Sequence, residues 1–438
     1  MKSGFLGSPN RRILLGVAER DGGSARQLVQ SYSAVMGGGA IITPTPGTPT
    51  LKSLTPNVGP QGGGTSVTII GQNFFGTGIQ VFFGGTACPT VVVNSPTQLT
   101  VVTPQHALGL VSVVVVTQFG VGLLLNSFTF QPPADVVFAI GNSGLTSGVG
   151  MGSPDGINWH SITVPNASGT GWNAIARSGS IFCAITADGS HSMSSPTGVT
   201  WTLGPTGPAT AFATCGSNFI WDGTRFVAIG RQSTQSSSAI SNDGINWATN
   251  LIGTSSDATC ALAFSGIRYI AWGASAGSAY LYRSSDAVNW NVAQFPSKPS
   301  AAYTTQWNGS QFVALFHNNG WLTSPDGLTW TAGSMPGDPD ASYLGLAWNG
   351  SIWAAAGGNS LSQGLIATSP DGQNWTARTV PTPPSGGTAF MLNMIWSPGL
   401  GLFIACGYSG AIYSPDGINW SAGQGVPLYN WQGLASMV

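Results

Sequence analysis

Serine, aspartate and tryptophan recur together at a fixed spacing in this chain, and they are the residues to test first for chemistry. Ser414-Pro415-Asp416-Gly417-Ile418-Asn419-Trp420 has counterparts at 153–159, 195–201, 241–247, 284–290, 324–330 and 369–375. Thr197 takes the aspartate place in one and Ala287 the glycine place in another. A carboxylate facing a second carboxyl group does acid and base work on a glycosidic bond. Ser and Asp oxygens two residues apart can instead accept N–H bonds from their own turn. Repetition separates the two uses, because a reaction needs one constellation whereas a unit copied along the chain marks architecture. Asp155, Asp243, Asp286, Asp326, Asp371 and Asp416 are therefore expected to shape turns. Trp159, Trp201, Trp247, Trp290, Trp330, Trp375 and Trp420 are expected to pack the strands beside them.

The carboxylates left over show no catalytic spacing. Glu19 is the only glutamate, and the aspartates beyond Arg26 that lie outside the turns are Asp135, Asp188, Asp222, Asp257, Asp338 and Asp340. Asp222 falls in a hairpin signal, and Asp338-Pro339-Asp340 reads as a loop, so no catalytic residue is assigned. His106, His160, His191 and His317 are far apart, and Asp188-Gly189-Ser190-His191 is the nearest approach to a ligand cluster. No metal and no cofactor is expected, since Walker loop, dinucleotide fingerprint and Gly-x-Ser-x-Gly elbow are all missing from a strand-to-helix context. Cys88, Cys183, Cys215, Cys260 and Cys406 form no Cys-x-x-Cys pair. Cys183 and Cys406 sit in apolar runs as small hydrophobes. Arg225 and Arg268 occupy one place in consecutive repeats and read as repeat residues rather than a substrate clamp. Trp221, Trp307, Trp348 and Trp396 likewise share a position and read as packing. Trp272, Tyr282 and Trp321 break the pattern, so they are the candidate glycan contacts if exposed, with local packing as the alternative.

The elements that position these residues follow from the period. Differences between the turn tryptophans at 159, 201, 247, 290, 330, 375 and 420 are 42, 46, 43, 40, 45 and 45. About twenty residues before each turn lies a second hairpin signal, as in Trp221-Asp222-Gly223-Thr224-Arg225-Phe226 and Trp307-Asn308-Gly309-Ser310-Gln311-Phe312. Four short strands per unit and seven units describe a seven-bladed β-propeller over 132–438. The first unit starts at a second strand (135–140), while Trp431-Gln432-Gly433-Leu434-Ala435 reads like the first strand Trp172-Asn173-Ala174-Ile175-Ala176. The C-terminal strand should therefore complete blade one and remove an open edge.

The Ser-x-Asp-Gly-x-x-Trp turn resembles the Asp-box of sialidases and related propellers, one residue shorter than the usual form. In that family these turns lie away from the active centre. The resemblance to sialidases implies an arginine triad, a Tyr nucleophile with a Glu partner, and an Asp acid/base. Glu19 lies outside the propeller, so the nucleophile's partner is missing and no enzyme is expected.

The remaining chain divides in three. Lys2, Arg11, Arg12, Arg20 and Arg26 give residues 1–36 five of the thirteen basic residues. Leu28, Tyr32, Val35 and Met36 fall at the spacing of a short helix, with Ser24 as N-cap. Pro9 to Arg12 interrupt any apolar leader, so neither a signal peptide nor a membrane span is expected. Residues 37–50, Gly-rich and then Thr/Pro-rich, form a linker. Residues 51–131 carry strands at 65–70, 79–83, 91–93, 98–102, 111–117 and 126–130. On Leu54-Thr55-Pro56, Gly62-Gly63-Gly64-Thr65, Gly71-Gln72-Asn73-Phe74, Val81-Phe82-Phe83-Gly84-Gly85 and Phe128-Thr129-Phe130, this stretch resembles the IPT/TIG domain. That implies an immunoglobulin-like β-sandwich, found as a spacer or interaction domain.

The fold class is thus all-β apart from the arm. A net charge of −1 and 6% charged residues supply no field for nucleic acid or an anionic membrane. A docking arm, an Ig-like spacer and a Gly/Ser/Thr-rich head of low charge resemble a bacteriophage structural protein. The expectation is a non-enzymatic virion-surface fiber, tail appendage or decoration protein that binds other virion proteins through residues 1–36. It would be homo-oligomeric in the assembly and would display the propeller to a host-surface glycan or protein. A sialidase-like glycosidase, and a bacterial surface or secreted adhesin, are the alternatives.

Overall fold

The computed structural model describes residues 47–131, 135–142, 148–167, 171–209, 218–232, 235–252, 258–275, 278–295, 302–382, 390–408, 410–427 and 429–437. The arm and helix expected over 1–36 lie outside them, as do linker residues 37–46. The chain divides into two compact units, Met1–Ala134 and Asp135–Val438.

In the first unit, Thr50–Thr55, Ser66–Gln72, Gln98–Val102 and Thr90–Ser95 pair in that order. Val58–Pro60, Gly120–Gln131, Gly109–Thr117, Gln80–Phe83 and Thr86–Ala87 form the second sheet. Alternation drives the sandwich: Val67 and Ile69 point inward from Ser66–Gln72 while Ser66, Ile70 and Gln72 stay exposed. The inward residues of both sheets, among them Leu99, Val101, Val113, Val115, Phe128 and Phe130, make one core. Phe83 meets Phe128 edge to face, with ring centroids 4.9 Å apart. The strands expected at 111–117 and 126–130 are longer, forming a hairpin around Gln118-Phe119 with Gly120 at φ 139°. Three further strands are short, or carry Lys52 or Pro60, and give no run of alternation. Asn73 donates its side-chain amide to the Thr48 carbonyl (2.9 Å), which ties the end of the expected linker to the sandwich.

The second unit contains seven four-stranded antiparallel sheets and is a seven-bladed β-propeller. Blade 1 orders its strands Asn430–Ser436, Val137–Asn142, Val149–Ser153, His160–Thr163. The C-terminal strand thus closes the ring, with Val137 opposite Ser436 and Ile140 opposite Gly433. The Met437 N–H reaches the Val136 carbonyl at 2.6 Å. Blades 2 to 7 begin with Trp172–Arg177, Phe219–Trp221, Ala258–Phe264, Ala302–Trp307, Ser342–Trp348 and Met391–Ser397. These first strands pack on one another around the ring, which puts them innermost. Second strands such as Phe312–Phe316 are buried at every residue, because both faces lie against sheets. A continuous apolar run is the signature of that environment. Val313 and Leu315 of blade 5 accordingly share a core with Trp353 and Ala355 of blade 6.

Candidate functional site

Each repeated turn joins the third strand of a blade to its fourth. Asp416 Oδ1 accepts the Ile418 and Asn419 N–H groups, both at 2.8 Å, and the Ser414 hydroxyl at 3.0 Å. Oδ2 accepts the Asn419 side-chain amide at 2.8 Å. Ser414 Oγ accepts the Gly417 N–H at 2.8 Å. The carboxylates of Asp155, Asp243, Asp286 and Asp371 hold the same set of donors. Asp326 keeps the two backbone donors but has Thr329 where the others have Asn. Thr197 makes only a 3.3 Å acceptor bond to the Val199 N–H. Glycine φ values in the turns cluster around Gly417's 73°, and Ala287 adopts 56° in that place.

These bonds fix the charge of the ring. Hydrogen bonds from Asn289, backbone first, pull Asp286 well below the usual carboxylate range. Burial works against ionisation at Asp243 and Asp371, yet the bonds from Asn246 and Ile245, and from Asn374 and Gln373, bring each down to about 2. A saturated carboxylate that stays ionised is a poor general acid at neutral pH.

The turns also bracket neighbouring blades. The Arg225 guanidinium of blade 3 donates to the Asp286 carbonyl of the blade 4 turn (2.6 Å), and Arg268 of blade 4 donates to the Asp326 carbonyl of blade 5 (2.8 Å). Gln311 of blade 5 donates to the Asp371 carbonyl of blade 6 (2.7 Å). Position for position, these three side chains do the same work, which is the reason two arginines recur. Turn glycines make the approach close: a Cβ on Gly198 of blade 2 would lie 2.1 Å from the Phe138 ring of blade 1, and one on Gly244 would lie 2.9 Å from Cys183 Sγ. Burial pushes the Cys183 and Cys406 thiols up, and the Cys88 thiol up to about 12, which works against the thiolate that a nucleophile needs.

Four of the other carboxylates, those of Asp135, Asp188, Asp222 and Asp338, have local partners. Asp222 bonds Thr224 and Arg225 within its hairpin, and the Tyr269 hydroxyl donates to its Oδ2. Buried Asp135 meets His160 Nε2 at 3.1 Å, and burial raises its pKa while His160 pulls the other way. In Asp188-Gly189-Ser190-His191, the Ser190 hydroxyl lies 2.7 Å from both Asp188 Oδ1 and His191 Nδ1. Serine between acid and imidazole reverses a hydrolase relay, in which the imidazole stands between the two. Asp338 accepts the Asp340 N–H (2.9 Å), and Asp257 lies outside the described residues. Among the described residues no group of three His, Cys, Asp or Glu is placed to hold a metal ion.

The three aromatic candidates are all buried. Trp272 and Tyr282 are 0% exposed and Trp321 is 7% exposed, so none offers a face to a sugar. The condition set for a glycan contact, exposure, is not met, and the alternative of local packing is what their burial fits. Trp272 packs edge to face against Phe316 (4.9 Å) and Trp330 (5.0 Å) of blade 5. The Tyr282 hydroxyl meets Ser236 Oγ of blade 3 at 3.1 Å. The Trp321 indole donates to the Ser334 carbonyl and fills space left by Gly333. Turn tryptophans pack on the second-strand aromatic of their own blade: Trp201 on Phe182 (6.1 Å), Trp290 on Tyr269 (6.2 Å), Trp420 on Phe403 (6.3 Å). Trp221, Trp307, Trp348 and Trp396 cover the second-strand aromatics Phe226, Phe312, Trp353 and Phe403 of their own blades from the other hairpin, at 4.8, 4.6, 5.0 and 4.8 Å. Among the described residues of the propeller, Tyr408 and Tyr429, each 37% exposed, are the large exposed aromatics. The Tyr408–Asn430 bridge sets them on adjacent segments. Nothing in the repeat singles them out. In the sandwich, Gln61, Gly84, Thr86, Gln105 and His106 line an open hollow of about 580 Å³ without a carboxylate.

A family model described as the IPT/TIG domain matches residues 49–132. No curated protein matches the chain. Among solved structures, an auxiliary nutrient binding protein from Bacteroides ovatus ATCC 8483 is 11% identical, with a TM-score of 0.40, over 82% of this chain and 95% of its own. Streptogramin B lyase is 10% identical over 58% of this chain and 83% of its own, with a TM-score of 0.45. SapL1 lectin, solved with alpha methyl fucoside, is 16% identical over 58% and 95%, with a TM-score of 0.39. Likeness at this level assigns no ligand or reaction to the chain. What it is similar to is an IPT/TIG domain over residues 49–132 and, more distantly, these structures.

Proposed function

We propose that this chain is a non-enzymatic surface protein of a bacteriophage virion, a fiber, tail appendage or decoration protein. Residues 1–36 anchor it to other virion proteins, it is homo-oligomeric in that assembly, and the propeller is displayed for attachment to a host-surface glycan or protein. The observation that carries the non-enzymatic part is the state of the carboxylates. The Asp-box-like turns hold theirs ionised and hydrogen-bonded within the turn, and Asp135 and Asp222 are engaged by structural partners. Catalysis on a glycosidic bond needs two that face the substrate instead. Attachment is supported by Tyr408 and Tyr429, rings with an apolar face and a polar tip of the kind that sugars stack on.

The test has two arms. The full chain is applied to host cells and to an array of surface glycans, with and without Tyr408→Ala and Tyr429→Ala. Binding should fall at least about tenfold in the double variant, roughly 1.4 kcal/mol, at an unchanged melting temperature. Release of sugar by the wild-type protein would overturn the non-enzymatic reading. Gold-labelled antibody should decorate intact particles in electron micrographs, and unlabelled particles would overturn the virion assignment.

A further inference from the structure

Four strand edges border the two sheets of the sandwich, and three are guarded. Thr50–Thr55 carries Lys52 at a register shift between Leu51 and Ser53. Val58–Pro60 has three residues and ends on proline, and Thr86–Ala87 has two. Charge, proline, irregularity and shortness are the devices that keep sheet edges from pairing. Thr90–Ser95 has six residues, Thr-Val-Val-Val-Asn-Ser, with no charge and no proline, and among the described residues it pairs only with Gln98–Val102. Its one irregularity comes late, between Val93 and Ser95, where Asn94 accepts the Thr100 hydroxyl. Val92 and Val93 are 48% and 46% exposed, and as neighbours on a strand they face opposite sides of the sheet.

We propose that the Thr90–Ser95 edge pairs antiparallel with the same strand of a second copy of this chain, joining two four-stranded sheets into one. The complement of an open strand edge is another strand. Charge complementarity selects which one: no Lys, Arg, Asp or Glu occurs between Lys52 and Asp135, so a charged segment would find no counter-charge, whereas this strand is itself neutral. Two-fold pairing also sets valine against valine on both faces, with no like charges opposed. The inference names the surface behind the homo-oligomer of the proposed function and rests on that part of it alone.

Sedimentation of the full chain over a wide concentration range tests it, with Val92→Lys, and Thr86→Lys as the control on a guarded edge. The wild-type protein and the control should associate as concentration rises, and Val92→Lys should remain a single chain at concentrations at least tenfold higher. Hydrogen exchange on the wild-type protein gives a second measurement that depends on no variant: the amides of Thr90–Ser95 should slow as concentration rises. An oligomer that Val92→Lys leaves intact would overturn the edge pairing and keep the oligomer. A single chain at every concentration would overturn both. Protection of Thr90–Ser95 that is independent of concentration would show the edge covered by its own chain and would also overturn the pairing.

Discussion

Replacing Asp416 with Ala strips the acceptor from two backbone N–H groups and one amide side chain, all within a single turn. Loss of such an acceptor costs about 0.5–2 kcal/mol, to be read from chemical denaturation of Asp416→Ala, with ligand binding unchanged. The same bonds give a pH dependence with a definite sign. Folding lowers these carboxyl pKa values, to about 2 at Asp243 and Asp371, from roughly 3.9 in the unfolded chain. The stabilisation is therefore complete above about pH 4 and is lost as pH falls toward 2. Melting temperature should be level from pH 7 to about 4.5 and then drop, and Asp243→Asn should make the drop shallower. Turn roles were legible from residue type because a seven-fold repeat has no other economical reading. Exposure was not: whether Trp321 meets solvent depends on Gly333 on the next strand and on the blade beyond, contacts that no local pattern encodes. Tyr408 stayed hidden for the converse reason, since it breaks no pattern.

Among elements, the turn glycines couple blade to blade. Gly198 combines φ 75° with a would-be Cβ 2.1 Å from Phe138 of the preceding blade. Gly198→Ala should cost more than about 1 kcal/mol in a denaturation experiment, through backbone strain and the displaced ring. Gly223, at φ 101° with open space around it, should lose only the backbone component. The last strand makes a larger prediction. Deleting residues 431–438 exposes Val137–Asn142 as an apolar edge, so the shortened protein should melt early or aggregate in light scattering. Blade strands were readable because Asn-Gly and Asp-Gly signals punctuate apolar runs, and the closing strand because it copies a first strand. Strands such as Val58–Pro60 and Thr86–Ala87 were not, being held by neighbours rather than by any period of their own.

For the whole molecule, the proposed division of labour gives an assembly test. A chain beginning at Gly47 keeps Thr48 for Asn73 and all of the first strand. It should fold, with unfolding transitions like those of the full chain in calorimetry, yet fail to join its particle in a reconstitution assay. Incorporation at the normal level would move the anchor out of residues 1–46. The ring's closure has a bearing on how the protein is made. Ser436 and Val136 touch across a sequence separation of 300 residues. Closing so long a loop adds little entropy cost beyond that of a medium one, because the cost rises only logarithmically. It does impose an order of events: every other strand of the ring is synthesised before its last strand exists. Until then blade one stays a three-stranded sheet with an open apolar edge, at the stage when nascent chains crowd together on a polysome. A frameshift near codon 430 would accordingly be a lesion of the entire ring, and a codon change that slows elongation there would prolong the one interval in which this head is adhesive to its own kind.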